Sequence, residues 1–269
     1  MRLAIGFLFL SSLAIAAQTQ APAGPLEVPV KVRTLTIVSN DVSQEFQQNI
    51  VRAYQGQTYS LAELEERIRQ GLRDLGYAQA SVEIPQIATM PAPAPGQSVD
   101  VTVRVSARAI YRLSKIRFEN TKVFPADQLR SQFPIANGSV FNATFIGKGL
   151  DNLKNLYQSQ GYITFGAIPR IQEDEVQHIL ALTIDISEGG QYFFGRLLFN
   201  GVEPRAGAAQ ALLAAWKPLE GKVYNLQTLA QWLKANATFL PDVQTAPEKY
   251  VSSHIEDGTY RIDIELEFP

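Results

Sequence analysis

The chain reads as an α+β protein built from three tandem β-α-α-β-β units, and three observations carry that reading. A glycine–aromatic–cap segment occurs three times, as Gly56-Gln57-Thr58-Tyr59-Ser60, Gly138-Ser139-Val140-Phe141-Asn142 and Gly221-Lys222-Val223-Tyr224-Asn225. The copies lie 82 and 83 residues apart. Apolar pairs with strand alternation, Leu35/Ile37, Ile116/Phe118 and Leu197/Phe199, precede each copy at spacings of 81 residues. Several landmarks held in register three times mark a structural repeat.

Each element follows from local chemistry. A strand opens each unit, over 32–38, 113–119 and 192–199, from its β-branched and aromatic content. A short helix follows, over 43–54, 125–133 and 205–216, with Pro125 suited to a first turn. The repeated segment then starts a longer helix. Ser60, Asn142 and Asn225 are side chains that accept a hydrogen bond from an otherwise orphaned N–H group. Tyr59, Phe141 and Tyr224 precede them, and Leu64, Ile146 and Leu229 follow at the spacing of a hydrophobic staple. Glu63 adds a capping box to the first copy. Behind the caps, apolar residues recur at helical spacing until Gly76 and Gly161, which suit the left-handed position after a helix. Two further strands close each unit, over 77–84 with 98–107, 162–171 with 177–187, and 250–256 with 259–268. Asp257-Gly258 is a hairpin signal, and the proline-rich run 90–96 reads as an extended loop.

Composition narrows function before any motif is weighed. The 269 residues carry 24 basic and 26 acidic side chains, a net charge of −2, which is not the basic excess of a nucleic-acid-binding chain. The absence of cysteine removes disulfides, thiol nucleophiles and cysteine-based metal sites. The two histidines, His178 and His254, fall in expected strands without a ligand set around them, so no catalytic or metal-binding residue is assigned and no cofactor is expected. Gly147-Lys148-Gly149 lacks the spacing of a phosphate loop and belongs to the second long helix. Glu173-Asp174-Glu175 reads as a solvated hairpin tip. Residues 1–17 have the basic start, apolar core and Ala-Ile-Ala end of a signal peptide. Residues 18–29 form a flexible lead-in, the units then occupy 30–108, 109–188 and 189–269, and no later run is apolar and long enough to span a membrane as a helix.

With the repeat in place, the sequence resembles the POTRA (polypeptide-transport-associated) domain. The junction Ile186-Ser187-Glu188-Gly189-Gly190-Gln191-Tyr192-Phe193-Phe194-Gly195 is similar to the family's boundary, where an acidic-glycine pair ends one unit and an aromatic strand opens the next. Gly76-Tyr77 and Gly161-Tyr162 are similar to its Gly-Tyr at the second strand, and Leu240-Pro241 departs from it in the third copy. The resemblance implies a periplasmic, non-enzymatic protein near the outer membrane, serving outer-membrane protein assembly or secretion. Its implied partners are a membrane barrel protein or unfolded barrel precursors. Nucleic acid and small-molecule substrates are not expected. Family members usually precede a barrel in the same chain, so a stand-alone protein and one whose barrel follows residue 269 both stay open. The mechanism it suggests is β-augmentation, in which an extended segment pairs with an edge strand. Pro85 and Pro169 blunt the second strands of the first two units. The third copy has no proline across 250–256, so Tyr250, Val251, Ser253 and Ile255 are the expected partner-binding edge. The alternative is a secreted structural or adhesive repeat protein with no part in barrel biogenesis.

Overall fold

The computed structural model describes residues 27–87, 93–202, 206–240, 250–256 and 258–268. The expected signal peptide, most of the lead-in, part of the proline-rich loop and Asp257 lie outside them.

The first segment runs β1 (Val30–Val38), α1 (Gln44–Tyr54), β2 (Thr58–Tyr59), α2 (Leu61–Asp74), β3 (Ser81–Val82), β4 (Gln86–Ile87) and β5 (Ser98–Ser106). The second runs β6 (Arg112–Glu119), α3 (Ala126–Arg130), α4 (Ala143–Ser159), β7 (Gly166–Asp174) and β8 (Ile179–Ser187). The third runs β9 (Phe193–Asn200), α5 (Ala208–Trp216), α6 (Leu226–Ala235), a 3-10 turn at Ala237–Phe239, β10 (Val251–Glu256) and β11 (Arg261–Glu267). Each segment forms a separate sheet, in the orders β2-β1-β5-β3, β6-β8-β7 and β10-β11-β9, with β4 also paired to β5. The first strand of each lies parallel to the last, and the second strand is antiparallel to the last.

Burial follows the pleat. Along β8, Leu180, Leu182, Ile184 and Ile186 are buried in alternation, facing Ile146, Leu153 and Tyr157 of α4. The first core gathers Val99, Val101, Val103 and Val105 against Leu64, Ile68 and Leu72. The third gathers Ile262, Ile264 and Leu266 against Leu212, Trp216, Leu229 and Leu233. Cores this small depend on apolar burial alone, since the chain has no cysteine.

The structure corrects three sequence readings. The second strands begin later than expected, at Ser81 and Gly166, because Tyr77–Ala80 and Tyr162–Phe165 turn first, with Ala80 N donating to Tyr77 C=O (3.0 Å) and Phe165 N to Tyr162 C=O (3.2 Å). Pro85 splits the first of them into two short bridges whose registers on β5 differ by one residue. The capping box is not closed: Ser60 Oγ accepts from Glu63 N (3.1 Å), but the Glu63 carboxylate pairs with Arg67 one turn on (2.8 Å). His178 is not in a strand either. It takes a positive φ of 52° in the β7–β8 turn.

A bulge that periodicity gives no hint of sits where the first strand meets the last, in all three sheets. Arg33 spans the first, bonded through Nε to Asp100 (2.9 Å), and Ser114 Oγ donates to Leu180 C=O (3.0 Å) at the second. At the third, the buried Asp263 carboxylate accepts from Arg196 N (2.6 Å) and Nε (3.0 Å).

Candidate functional site

The second and third copies of the repeated motif lie at the joints between segments, and the first copy makes the matching bonds within its own segment. Gly56, Gly138 and Gly221 each adopt a positive φ and donate their N–H to the first strand, at Val32, Leu113 and Phe194 C=O (2.7, 2.6 and 2.8 Å). That bond brings the following aromatic residue over the core, where Phe141 and Tyr224 are buried and Tyr59 is partly so. Burial pushes the Tyr224 phenol up to about 12.

Asn142 and Asn225 then serve two helices at once. Asn142 Oδ1 accepts from Phe145 N (2.8 Å) to cap α4, while its Nδ2 donates to Asp74 C=O at the end of α2 (2.9 Å). Asn225 Oδ1 accepts from Gln227 N (2.8 Å) and Thr228 N (3.1 Å), and its Nδ2 donates to Ser159 C=O at the end of α4 (2.9 Å). A carboxamide can do both because it carries an acceptor and two donors on one planar group.

The same joint is therefore built twice. Tyr111 N donates to Gly76 C=O (2.8 Å), and Tyr192 N to Gly161 C=O (2.9 Å). Phe141 N and Tyr224 N in turn donate to Tyr111 and Tyr192 C=O (2.9 Å each). A Cβ on Gly76 would lie 2.4 Å from Val140 Cγ1, and one on Gly161 2.6 Å from Tyr192 O, so glycine is needed for approach as well as for φ.

The joints differ in their side chains. At the first, the Asp74 carboxylate accepts from Thr144 N and Oγ1 (2.9 Å each), and Gln79 Nε2 reaches Glu173 (2.6 Å) on the β7–β8 turn. The acidic tip is thus partly engaged with the preceding segment. At the second, Ser159 stands in the place of Asp74 and turns its hydroxyl back to Leu156 C=O (2.7 Å). There the apolar Ile163 packs against the third core, where the first joint has Ala78 against the second.

Carboxylates also tie each linker to the loop after the first strand. Asp41 accepts from Ala107 N (2.9 Å) and Arg108 N (3.0 Å), and these bonds, that of Arg108 foremost, hold its carboxyl at about 2. Glu188 of the acidic-glycine pair accepts from Lys122 N, Val123 N and the Tyr157 hydroxyl (2.9 Å each). Burial pushes the Glu188 carboxyl up, yet the three donors outweigh it and leave it below its ordinary value. Burial first, and the bond to Glu188 second, raise the Tyr157 phenol.

The expected partner-binding edge falls on β10, the terminal strand of its sheet. Tyr250 lies just before it. Val251 and Ser253 are buried, opposite Leu266 and Ile264 of β11, and Ile255 stands opposite Ile262. Val251 and Ser253 therefore offer an incoming strand their main chain rather than their side chains. The other face carries a polar set that the sequence reading passed over: His254 Nε2 contacts Glu265 Oε2 (2.7 Å), with Ser252 Oγ 3.3 Å from the same nitrogen. Its signal was the alternation of β10 against β11, legible only once the register was known. Among the described residues no cluster of acidic or histidine side chains has the grouping of a metal site, and no helix is long and apolar enough to cross a membrane.

The POTRA family, described as "Surface antigen variable number repeat", matches residues 30–108 and 111–189. Outer membrane protein assembly factor BamA of Buchnera aphidicola subsp. Acyrthosiphon pisum (strain APS) is 28% identical over 171 residues, 62% of this chain. The chain spans 27% of the length of that curated relative. The crystal structure of Haemophilus influenzae BamA POTRA3-5 is similar with a TM-score of 0.60 at 18% identity, covering 92% of this chain and 99% of that one. BamA from Haemophilus ducreyi lacking POTRA domains 1-3 matches 62% of this chain and 32% of its own, with a TM-score of 0.46 and 19% identity.

Proposed function

This chain belongs to the POTRA family, and from that premise we propose that it is a non-enzymatic periplasmic binding and scaffold protein in outer-membrane protein assembly or secretion. Its clients are extended segments of barrel precursors or of a partner barrel protein. Its units are 30–108, 109–188 and 189–269, delivered to the periplasm by the signal peptide at 1–17. The observation that carries this reading is architectural: three small sheets, each with one core face and a terminal strand, are joined in series through the same pair of main-chain bonds. Such an array presents several strand edges at set spacings, and backbone pairing is largely indifferent to client sequence.

The edges differ in quality. Pro85 leaves the first second strand in two-residue pieces. Pro169 lies within β7, where the missing N–H must face away from β8 and so removes one donor from the outer edge. Residues 250–256 contain no proline, which favours β10 as the client edge, with Tyr250, Val251, Ser253 and Ile255 supplying main-chain groups. The test is Ser253→Pro in the full chain, with binding of an unfolded outer-membrane barrel fragment as the readout. Loss of binding with an intact fold is expected. Unchanged binding with an intact fold refutes this edge.

A further inference from the structure

The two joints share their main-chain bonds, and matched positions show what each adds to them. Gln70, Asp74 and Thr144 at the first correspond to Asn155, Ser159 and Gln227 at the second. At the first, the Asp74 carboxylate accepts from Thr144 N and Oγ1 (2.9 Å each), and Gln70 Nε2 lies 3.1 Å from Asp74 Oδ1 and 3.4 Å from Thr144 Oγ1. Three side chains thus close on one another and join the end of α2 to the start of α4. Gln79 reaches Glu173 on the far side of Gly76, so the bonds of this joint spread from Gln70 to Gln79 and engage both α4 and the β7–β8 turn.

At the second joint the same three positions do not meet. Asn155 has a shorter stem than Gln70, and the Ser159 hydroxyl turns back to Leu156 C=O (2.7 Å). Among the described residues no hydrogen bond joins the side chains of Asn155, Ser159 and Gln227. Between the end of α4 and the start of α6 there is instead a cleft of ≈ 400 Å³, with Asn155, Ser159, Ile163, Leu226 and Gln227 in its lining. Its walls belong to two different segments, so its width follows the angle between them.

What does cross the second joint leaves rotation free. Tyr192 N donates to Gly161 C=O, Gln191 Nε2 to Gln160 C=O (3.0 Å) and Asn225 Nδ2 to Ser159 C=O, so all three hydrogen bonds fall on the consecutive residues 159–161. Ile163 adds apolar contact with the third core, and apolar contact has no preferred direction. The linker differs in the same sense. Arg108 and Ala109 of the first linker become Gly189 and Gly190 in the second, where glycine admits the close approach of Thr164 and Tyr260 and widens the backbone freedom. Ala109, by contrast, packs on the second core.

We propose that the second joint is a pivot. The third segment turns about the bonds at residues 159–161, opening and closing the cleft between α4 and α6, while the first two segments move as one body. The turn keeps the spacing that the main-chain bonds set and changes the orientation of β10 relative to β7, the terminal strand of the second sheet. An edge on the turning segment can align with extended chains arriving at different angles, as a hinged domain closes around its ligand. That use rests on the client-binding reading above; the motion itself does not.

The test uses the full chain with nitroxide pairs across each joint. The chain has no cysteine, so Ala62→Cys with Asp151→Cys labels α2 and α4 alone, and Asp151→Cys with Lys234→Cys labels α4 and α6, all at exposed sites. The distance distribution across the second joint is expected to be roughly twice as wide as that across the first. Ser159→Asp combined with Gln227→Thr, which copies the clasp of the first joint, is expected to narrow it to the width of the first. A downfield shift of the residue 227 amide, like that of Thr144, reports that the clasp has formed. Equal widths before those two changes overturn the pivot, whatever the clasp does. A wide second distribution that persists with the clasp formed overturns it too, because the missing clasp is then not its cause. A clasped chain that narrows yet binds an unfolded barrel fragment as before leaves the pivot standing and removes only its use in client binding.

Discussion

Asp74→Ala tests whether the first joint is held by side chains that the second lacks. The substitution removes one carboxylate that accepts from Thr144 N and Thr144 Oγ1, at 2.9 Å each, and lies 3.1 Å from Gln70 Nε2. A hydrogen bond to a charged group contributes about 1.5–3 kcal/mol when shielded, and a carboxylate at a helix N-terminus about 0.3–1 kcal/mol. Asp74 and Thr144 are only partly buried, so water replaces much of this, and the net loss in docking between the units is about 1–2 kcal/mol. The main-chain bond from Tyr111 to Gly76 and the Asn142 amide to Asp74 C=O survive the change. The joint should therefore loosen rather than part, with an open population raised roughly 5–30-fold. Spin labels on α1 and β8 report this as a broadened distance distribution, while the melting of each unit changes little. Ser159→Ala, at the matching place in the second joint, removes only a hydroxyl bonded within its own helix and should leave the α4-to-α6 distances as they are. A distribution unchanged by Asp74→Ala, or one broadened equally by Ser159→Ala, refutes the reasoning.

Gly161→Ala puts a Cβ 2.6 Å from Tyr192 O and 2.9 Å from Val223 Cγ1 at a φ of +84°, so the roughly 1–2 kcal/mol of left-handed strain adds to a clash with backbone; faster proteolysis at the second linker is the expected outcome. Trp216→Phe leaves Gly195 C=O at the β9 bulge without its donor and opens a void, costing the third unit about 2–4 kcal/mol, read as a lower melting temperature for that unit alone. Asp41 titrates at about 2 in the folded chain against about 3.9 unfolded, so its contribution is present above pH 4 and is lost as pH falls toward 2. Denaturation midpoints between pH 2 and 5 should fall less steeply in Asp41→Asn than in the native chain, and equal slopes would contradict the assignment.

What could be read in the sequence was what neighbouring residues decide among themselves. Ser60, Asn142 and Asn225 start helices because an acceptor two or three residues ahead of a free N–H acts over one turn, whatever lies beyond it. The apolar period behind each cap and the alternation in β8 and β11 likewise report which face is buried. The starts of the second strands were misread because Gly76-Tyr77 and Gly161-Tyr162 carry strand-forming aromatics into what is a turn. Tyr77 N and Tyr162 N donate to Leu72 and Tyr157 C=O at the ends of the long helices, and their rings pack on the core of their own segment rather than extend a ladder.

The candidate edge shows the same division. A proline-free run at 250–256 is visible in one dimension. That Val251 and Ser253 turn inward while Ser252 and His254 meet Glu265 depends on pairing with β11 in one register. The sequence alone supplied the helix caps, the apolar periods and their repeated spacing in a chain without cysteine, since these are properties of neighbouring residues. Tertiary structure alone decided that the capping amides also hold the preceding helix, and that one joint is clasped by Asp74 and the other is not. Those outcomes rest on contacts between residues 66 to 70 positions apart, where chain proximity carries no information and only the packed shape selects the partner.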